Sequence, residues 1–493
     1  MISKLNLFII FLSISILNIQ QIDAKTHHII LGKEEFTSTY DGEVITSDEV
    51  DGISEFNKTI RIREPGTYVL KGEFHGQIKV KLNDLNESAT LVLNGTKIIC
   101  PFGPGLIFTG ARRIDETDYT QQNKMTYEKA MKLNFTNVGA RIVLADNSKN
   151  FINASHTEKY DGAIHSKVSI ELTGEKKGNG ELTVIADLEG FDCKRHILIS
   201  GGIITIYSED DAINASKDFG SAIIINGGKL SLSGGHGSEG DGIDSNGVLI
   251  INGGDIVTSS KNKTSSGLDS EETIINGGNI ISIGSSMDGA HEKSGQLSMN
   301  LQFVDPVGVS SVLTIKDLKG NEIVSFSPDT LGFLEGGIVR TYKGSVISNS
   351  KFELDKVYEM FLDGKKLGYT HNRFVNPYDE QMQAEYQGNN FPGGFPQFPG
   401  GNQFPGGNWG GWGGSSRDNG NQRDKKSGNY YRVNMNNGWV KDETDFLSEK
   451  EKQELREKEL QRQQQLPKQE EIKTDFIFTK IVMRFSGIKF AEN

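Results

Sequence analysis

Two cysteines in 493 residues are too few for a disulfide scaffold or a multi-cysteine zinc site. Positive charge is scarce too: 53 Lys and Arg stand against 65 Asp and Glu, a net charge of −12. A nucleic-acid binder normally presents a basic face, so this balance argues against that class. The three tryptophans, Trp409, Trp412 and Trp439, all lie outside the repeats described below, so sugar binding by an aromatic platform is not expected there. Long apolar runs are missing apart from Leu5–Leu17, which falls short of the ~20 residues a membrane-spanning helix needs. With Lys4 before it and Ile22-Asp23-Ala24 after it, residues 1–24 read as a secretory signal peptide cleaved after Ala24. The expected location is extracellular, with no membrane span. Asn-x-Ser/Thr sequons at Asn57, Asn86, Asn94, Asn134, Asn153, Asn214 and Asn262 give weak support for glycosylation.

Glycine is plentiful, at 58 residues, and it recurs with a period. One unit returns with central apolar residues Ile164, Phe191, Ile213, Ile243, Leu268 and Ala290, in steps of 27, 22, 30, 25 and 22 residues. A second element, Ile197-Leu198-Ile199-Ser200-Gly201-Gly202, returns as Ile223–Gly228, at 249–254 and at 273–278. Short β-branched strands at this spacing, without helical patterning, specify an all-β solenoid, with the six apolar residues stacked as one inward column. The Gly-Gly pairs mark bends where a Cβ would clash or where φ is positive. Asn226, Asn252 and Asn276 precede them in register and are expected to stack as an amide ladder, each side chain bonding the backbone of its neighbour. Cys193 shares a column with Ser166, Ala215, Ser245 and Ser270, so it reads as a small packed residue, and a bridge to Cys100 is not expected.

The expected organisation is a signal peptide at 1–24, the solenoid at 25–300, a capping β-module at 301–372, a Gly/Pro-rich low-complexity segment at 373–440 and a charged tail at 441–493. A solenoid end has to be covered, which is the reason for reading a cap. Segment 110–133 lacks strand alternation and reads as an insertion. Phe391-Pro392-Gly393-Gly394 and its variants read as flexible tail. Ser448 and Glu451 form a capping box for a solvated helix over 448–465.

The residues most suggestive of chemistry are acids at the corners of the repeat: Asp192, Asp210, Asp211, Asp241, Asp244, Asp269 and Asp288. Stacked rungs lie about 4.8 Å apart, and carboxylates at that spacing repel one another unless a cation sits between them. Converging carboxylate and carbonyl oxygens suit Ca²⁺. Any single Asp is adequately explained as a turn residue; the set Asp210, Asp211, Asp241, Asp244 and Asp269 is what points to calcium. Two enzymatic alternatives stay open. Asp210-Asp211 followed 25 residues later by Gly235-His236-Gly237 is similar to polygalacturonases, but no Arg-x-Lys pair follows on a repeat strand. A lyase needs a basic catalyst beside the metal, and Lys194, Arg195, Lys217 and Lys229 are not distinctive.

Several strings together resemble a known family. They are Gly66-Thr67-Tyr68-Val69-Leu70, Leu91-Val92-Leu93-Asn94-Gly95, Glu209-Asp210-Asp211-Ala212-Ile213 and Gly240-Asp241-Gly242-Ile243-Asp244-Ser245-Asn246-Gly247. With the Ile-x-Gly-Gly turns they are similar to the carbohydrate-binding, pectate-lyase-like β-helix proteins over about 40–370. The resemblance implies a right-handed parallel β-helix, bound calcium, and binding of polygalacturonate (pectin), with cellulose as a further candidate, without demonstrated cleavage. The insertion at 110–133 and the chain beyond 440 depart from the family pattern. The expected protein is therefore a calcium-dependent binder of acidic polysaccharide; an enzyme on the same fold and a structural surface or adhesive protein are the alternatives.

Overall fold

The computed structural model describes residues 26–333 and 341–371, apart from short stretches, together with 429–434 and 439–440. The repeat folds as a β-solenoid of about 8 turns with three parallel sheets. One coil runs in turn through the first sheet (Ala140–Leu144), the second (Lys149–Ala154) and the third (Gly162–Ser166), and Ile170–Gly174 then starts the next coil. Further on, two longer strands, Ile243–Ile251 and Leu268–Ile275, run without interruption from the third sheet into the first sheet of the next coil. The first coils are built from Gly66–Phe74, Ala89–Cys100 and Leu106–Gly110, which all pair in parallel with their neighbours.

Strand register confirms the inward column. In the third sheet Ile60, Ile78, Leu106, Ile164, Phe191, Ile213, Ile243 and Leu268 stack in line, and every one is fully buried. Each such side chain contributes roughly 1.5–3 kcal/mol by leaving water. Ala290 is buried in the same core, but among the described residues no strand pair puts it in register with Leu268. Ser166, Cys193, Ala215, Ser245 and Ser270 form the next inward column, and both cysteines are buried thiols.

At the bend between first and second sheets, the second Gly of each pair has positive φ: 95° at Gly202, 104° at Gly228, 105° at Gly254 and 97° at Gly278. The coils also touch there, since a Cβ on Gly254 would sit 2.9 Å from the Gly228 carbonyl oxygen. Gly254→Ala is therefore expected to cost about 1–3 kcal/mol, read as a lowered midpoint in denaturant. The asparagine ladder forms, with a correction to its bonding. Asn252 Nδ2 donates to Asn226 Oδ1 at 2.8 Å, and Asn276 Nδ2 donates to Asn252 Oδ1 at 2.9 Å. The amides bond one another rather than backbone, because equivalent atoms of successive coils lie one rung apart.

The insertion is a strap. It holds a single helical turn, Tyr127–Ala130, between two 3₁₀ turns, Gln121–Asn123 and Phe135–Asn137. Its Tyr119, Met125, Ala130, Phe135 and Val138 pack on Leu198, Ala222, Ile224, Val248, Ile250 and Ile274 of the first sheet's outer face. A sheet covered on both sides reads as continuous apolar runs, which is what Ile223-Ile224-Ile225 and Leu249-Ile250-Ile251 are. Polar anchors complete the seam. His196 Nε2 lies 3.1 Å from Asp115 Oδ2, the Tyr119 hydroxyl donates to the same oxygen at 2.8 Å, and Lys293 pairs with Glu128 at 3.2 Å.

Beyond residue 297 the coil-on-coil repeat ends. Thr341–Ser348 pairs antiparallel with both Asn279–Gly284 and Ser298–Gly308. Leu313–Asp317, Glu322–Phe326, Val357–Leu362 and Lys365–His371 form a separate four-stranded antiparallel sheet over its own core. The reading of everything after 373 as tail does not hold at 429–434, where Asn429–Asn434 pairs in parallel with Met299–Phe303. The physical reason is local: once the glycines thin out, Tyr430-Tyr431-Arg432-Val433 is rich in strand formers. The signal peptide and the helix at 448–465 lie outside the described residues. Among the described residues no helix is long and apolar enough to cross a membrane.

Candidate functional site

The sequence-predicted acids come together on one surface, the outer face of the third sheet and the corner where the second sheet enters it. Five of the seven fall on two lines; Asp210 precedes Asp211 in the chain, and Asp288 lines a cavity with Asp241 and Asp269. Along the strands, Asp192, Asn214, Asp244 and Asp269 are in register. At the corner, backbone bonds from Gly190 to Asp211, Ala212 to Asp241 and Gly242 to Ser266 align Glu189, Asp211, Asp241 and Ser266. The corner carboxylates reach forward to the next coil: Asp211 Oδ1 accepts from the Asp241 amide at 2.6 Å, and Asp241 Oδ1 accepts from the Ser266 amide at 2.5 Å. Part of the turn role allowed for each Asp is thus real.

Crowding shows in the protonation equilibria. Burial, reinforced by neighbouring carboxylates, raises Glu189, Asp210, Asp211 and Asp244 above the ordinary carboxylate range. Asp241 is pushed up to about 7, by burial first and by Asp269 second. Asp192 behaves oppositely. Burial would raise it, but the close approach of His165 and the Lys194 charge outweigh that and hold it low. Its Oδ2 lies 2.7 Å from His165 Nδ1 and 3.3 Å from Lys194 Nζ, and its Oδ1 accepts from Ser216 at 2.9 Å. Of the seven predicted ligands, Asp192 is therefore the one already neutralised by protein groups.

The other end of the array is open. Asp241, Asp269 and Asp288, with Thr264, Ser265, Ser266 and Ser286, line a cavity of about 290 Å³ whose side-chain donors are all oxygen. That chemistry fits a hard cation such as Ca²⁺ and not a thiolate- or imidazole-seeking metal. Among the described residues, no three His, Cys, Asp or Glu side chains already converge in a metal-ligand arrangement. Hydroxyls, backbone carbonyls and a modest closing of the carboxylates would have to complete a coordination shell.

Two participants were not singled out as ligands from sequence. Glu189 is buried, with Oε1 accepting from Asn214 Nδ2 at 2.8 Å and Oε2 left without a hydrogen-bond partner. Its signal was its place in the repeat, one coil before Asp211. Asn214 replaces an Asp of the strand line. It is buried as well, so its sequon is not accessible for glycosylation.

The enzymatic alternatives find little geometric support. His236 stacks on Tyr207 of the second sheet, with ring centroids 4.0 Å apart, and its Nε2 is 2.8 Å from the Ser233 hydroxyl. Lys194 is held by Asp161 at 2.8 Å as well as by Asp192. Burial alone would lower its pKa, but these two carboxylates raise it, so it is a poor base at neutral pH. Lys217 pairs with Asp118 of the strap at 3.6 Å, and Arg195 donates to the strap's Thr117 carbonyl.

The family model described as "Carbohydrate-binding domain-containing protein" matches residues 56–301. A protein of that same description from Acetivibrio thermocellus is 25% identical over 177 residues, covering 34% of this chain and 51% of the relative. This chain thus matches about half the length of that curated relative. Among solved structures, a polysaccharide lyase-like protein from C. thermocellum is 20% identical, with a TM-score of 0.37, over 52% of this chain and 93% of that one.

Proposed function

Through residues 56–301 the chain belongs to the carbohydrate-binding domain family, and on that premise we propose that it is a secreted, non-catalytic binder of acidic plant cell-wall polysaccharide, polygalacturonate or pectin, acting through calcium. The observation that carries this reading is the crowded set of Asp210, Asp211, Asp241, Asp244, Asp269 and Asp288 on one side of the solenoid, opening to solvent in the cavity that Asp241, Asp269 and Asp288 line. A chain of net charge −12 has no general attraction for a polyanion. Calcium on the array would supply positive charge with coordination positions left for uronate carboxylates. The chain's own residues would do the rest: corner carboxylates hold the cation, and the rigid rungs fix their spacing. Binding is favoured over cleavage because Lys194, the lysine beside Asp192, is committed to Asp161 and Asp192.

Retention on calcium-crosslinked pectate beads tests this. The protein is expected to bind, to elute with a chelator, and to release neither reducing ends nor ultraviolet-absorbing unsaturated products. Product formation that disappears in Lys194→Ala would establish the lyase alternative instead.

A further inference from the structure

We infer that the saccharide chain is also gripped by a basic, aromatic patch that shares the third sheet's outer face with the acidic array. The inference rests on the polysaccharide-binding reading above and names a contact site for it. Tyr160 is half-buried and ringed by three ammonium groups: Lys79 Nζ at 5.7 Å from the ring centroid, Lys159 Nζ at 5.7 Å and Lys167 Nζ at 5.4 Å. Ion pairs elsewhere on the surface are common, yet among the described residues none of these three lysines has a carboxylate partner. Three like charges around one ring lie within a Debye length of one another and repel. In a protein this acidic, with carboxylates to spare, such a cluster marks a place where negative charge arrives from outside.

The ring is positioned to be used. Paired backbone bonds between Thr157 and Tyr160, 2.8 and 3.1 Å long, fix its loop. It packs against the His165 ring at 4.8 Å between centroids, and His165 is in turn anchored on Asp192. Patch and array share one line of the sheet: Lys79, Ile107, His165, Asp192, Asn214, Asp244 and Asp269 follow one another in register, with Ile107, His165, Asp192 and Asn214 buried between the two ends. At about 4.8 Å per rung, Lys79 and Asp244 are roughly 24 Å apart, a span an extended oligosaccharide can bridge. The ligand class follows from the groups present. The tyrosine face accepts the apolar face of a pyranose ring, and the ammonium groups accept carboxylates as point charges. An oligogalacturonate offers both at every residue.

The test is calorimetric titration of the whole protein, in calcium, with a size-defined oligogalacturonate, a neutral cello-oligosaccharide and a single-stranded oligonucleotide. The triple variant K79Q/K159Q/K167Q and, separately, Tyr160→Ala are each expected to bind the oligogalacturonate about tenfold more weakly or worse. Their calcium-dependent melting should stay unchanged, which separates lost contacts from lost folding. Undiminished binding by both variants would overturn this inference and leave the proposed function standing. No binding by the wild type would overturn the proposed function and this inference together. Oligonucleotide binding as tight as uronate binding would overturn the assignment of the patch to a saccharide.

Discussion

Stripping calcium from the protein at pH 8 should lower its melting temperature by roughly 5–10 °C, the size expected when a ligand worth about 3 kcal/mol is withdrawn from a domain this large. The acidic array gives the effect its pH dependence. Glu189, Asp210, Asp211, Asp244 and Asp241 all have folded pKa values above their unfolded ones, and Asp241 reaches about 7. A carboxylate raised in this way contributes its stability in full below its unfolded pKa of about 4 and loses it as pH rises through the folded value. In chelator the protein should therefore lose stability between pH 4 and pH 7. His196, buried and held neutral, works the other way below about 6.5, so the informative quantity is the difference with and without calcium at each pH. That difference should widen toward pH 8. Asp241→Asn combined with Asp244→Asn should abolish most of it, and in chelator the double variant should melt no lower than wild type, because repulsion has gone with the charge. Identical melting curves with and without chelator at pH 8 would rule out a structural calcium.

The second large effect concerns the strap. Its two ends meet, since a Cβ on Gly139 would lie 2.2 Å from the Arg112 nitrogen, so residues 113–136 can be replaced by a short Gly-Ser link without dragging the rungs apart. Doing so uncovers Leu198, Ile224, Val248, Ile250 and Ile274, a contiguous apolar stripe across successive coils. Monomeric soluble proteins rarely expose such a patch. The shortened chain should self-associate in light scattering and bind a hydrophobic dye, with a lowered melting temperature. A monomeric, dye-negative deletion variant would mean that the strap is not what covers this face. A milder version is Asp115→Ala, which takes the partner from buried His196 Nε2 and should cost about 1–3 kcal/mol.

The repeat was legible because a solenoid writes its contacts at a fixed interval. The inward column from Ile164 to Leu268, the small-residue column through Cys193 and the positive-φ glycines all followed from spacing alone. The acidic residues were legible as a set for the same reason. Their division into two lines was not, because residues 189 and 192 belong to one motif in sequence yet face different neighbours. Nor could sequence show that Asp192 is neutralised, since His165, Lys194 and Ser216 come from three different coils. The strap was visible as an interruption but not as a cover, because its partners are the outer residues of strands that already looked fully explained by an inner core. Tyr160 and its lysines are not legible in the sequence for a related reason: Lys79 is 81 residues away in the chain, on a rung that carries little of the repeat signature.

Affinity electrophoresis in native gels cast with polygalacturonate tests the central claim most directly. With calcium in gel and buffer, mobility should fall steadily as polymer concentration rises, and chelator should restore it to that of a non-binding control. Equal mobility at every polymer concentration in the presence of calcium would contradict the account.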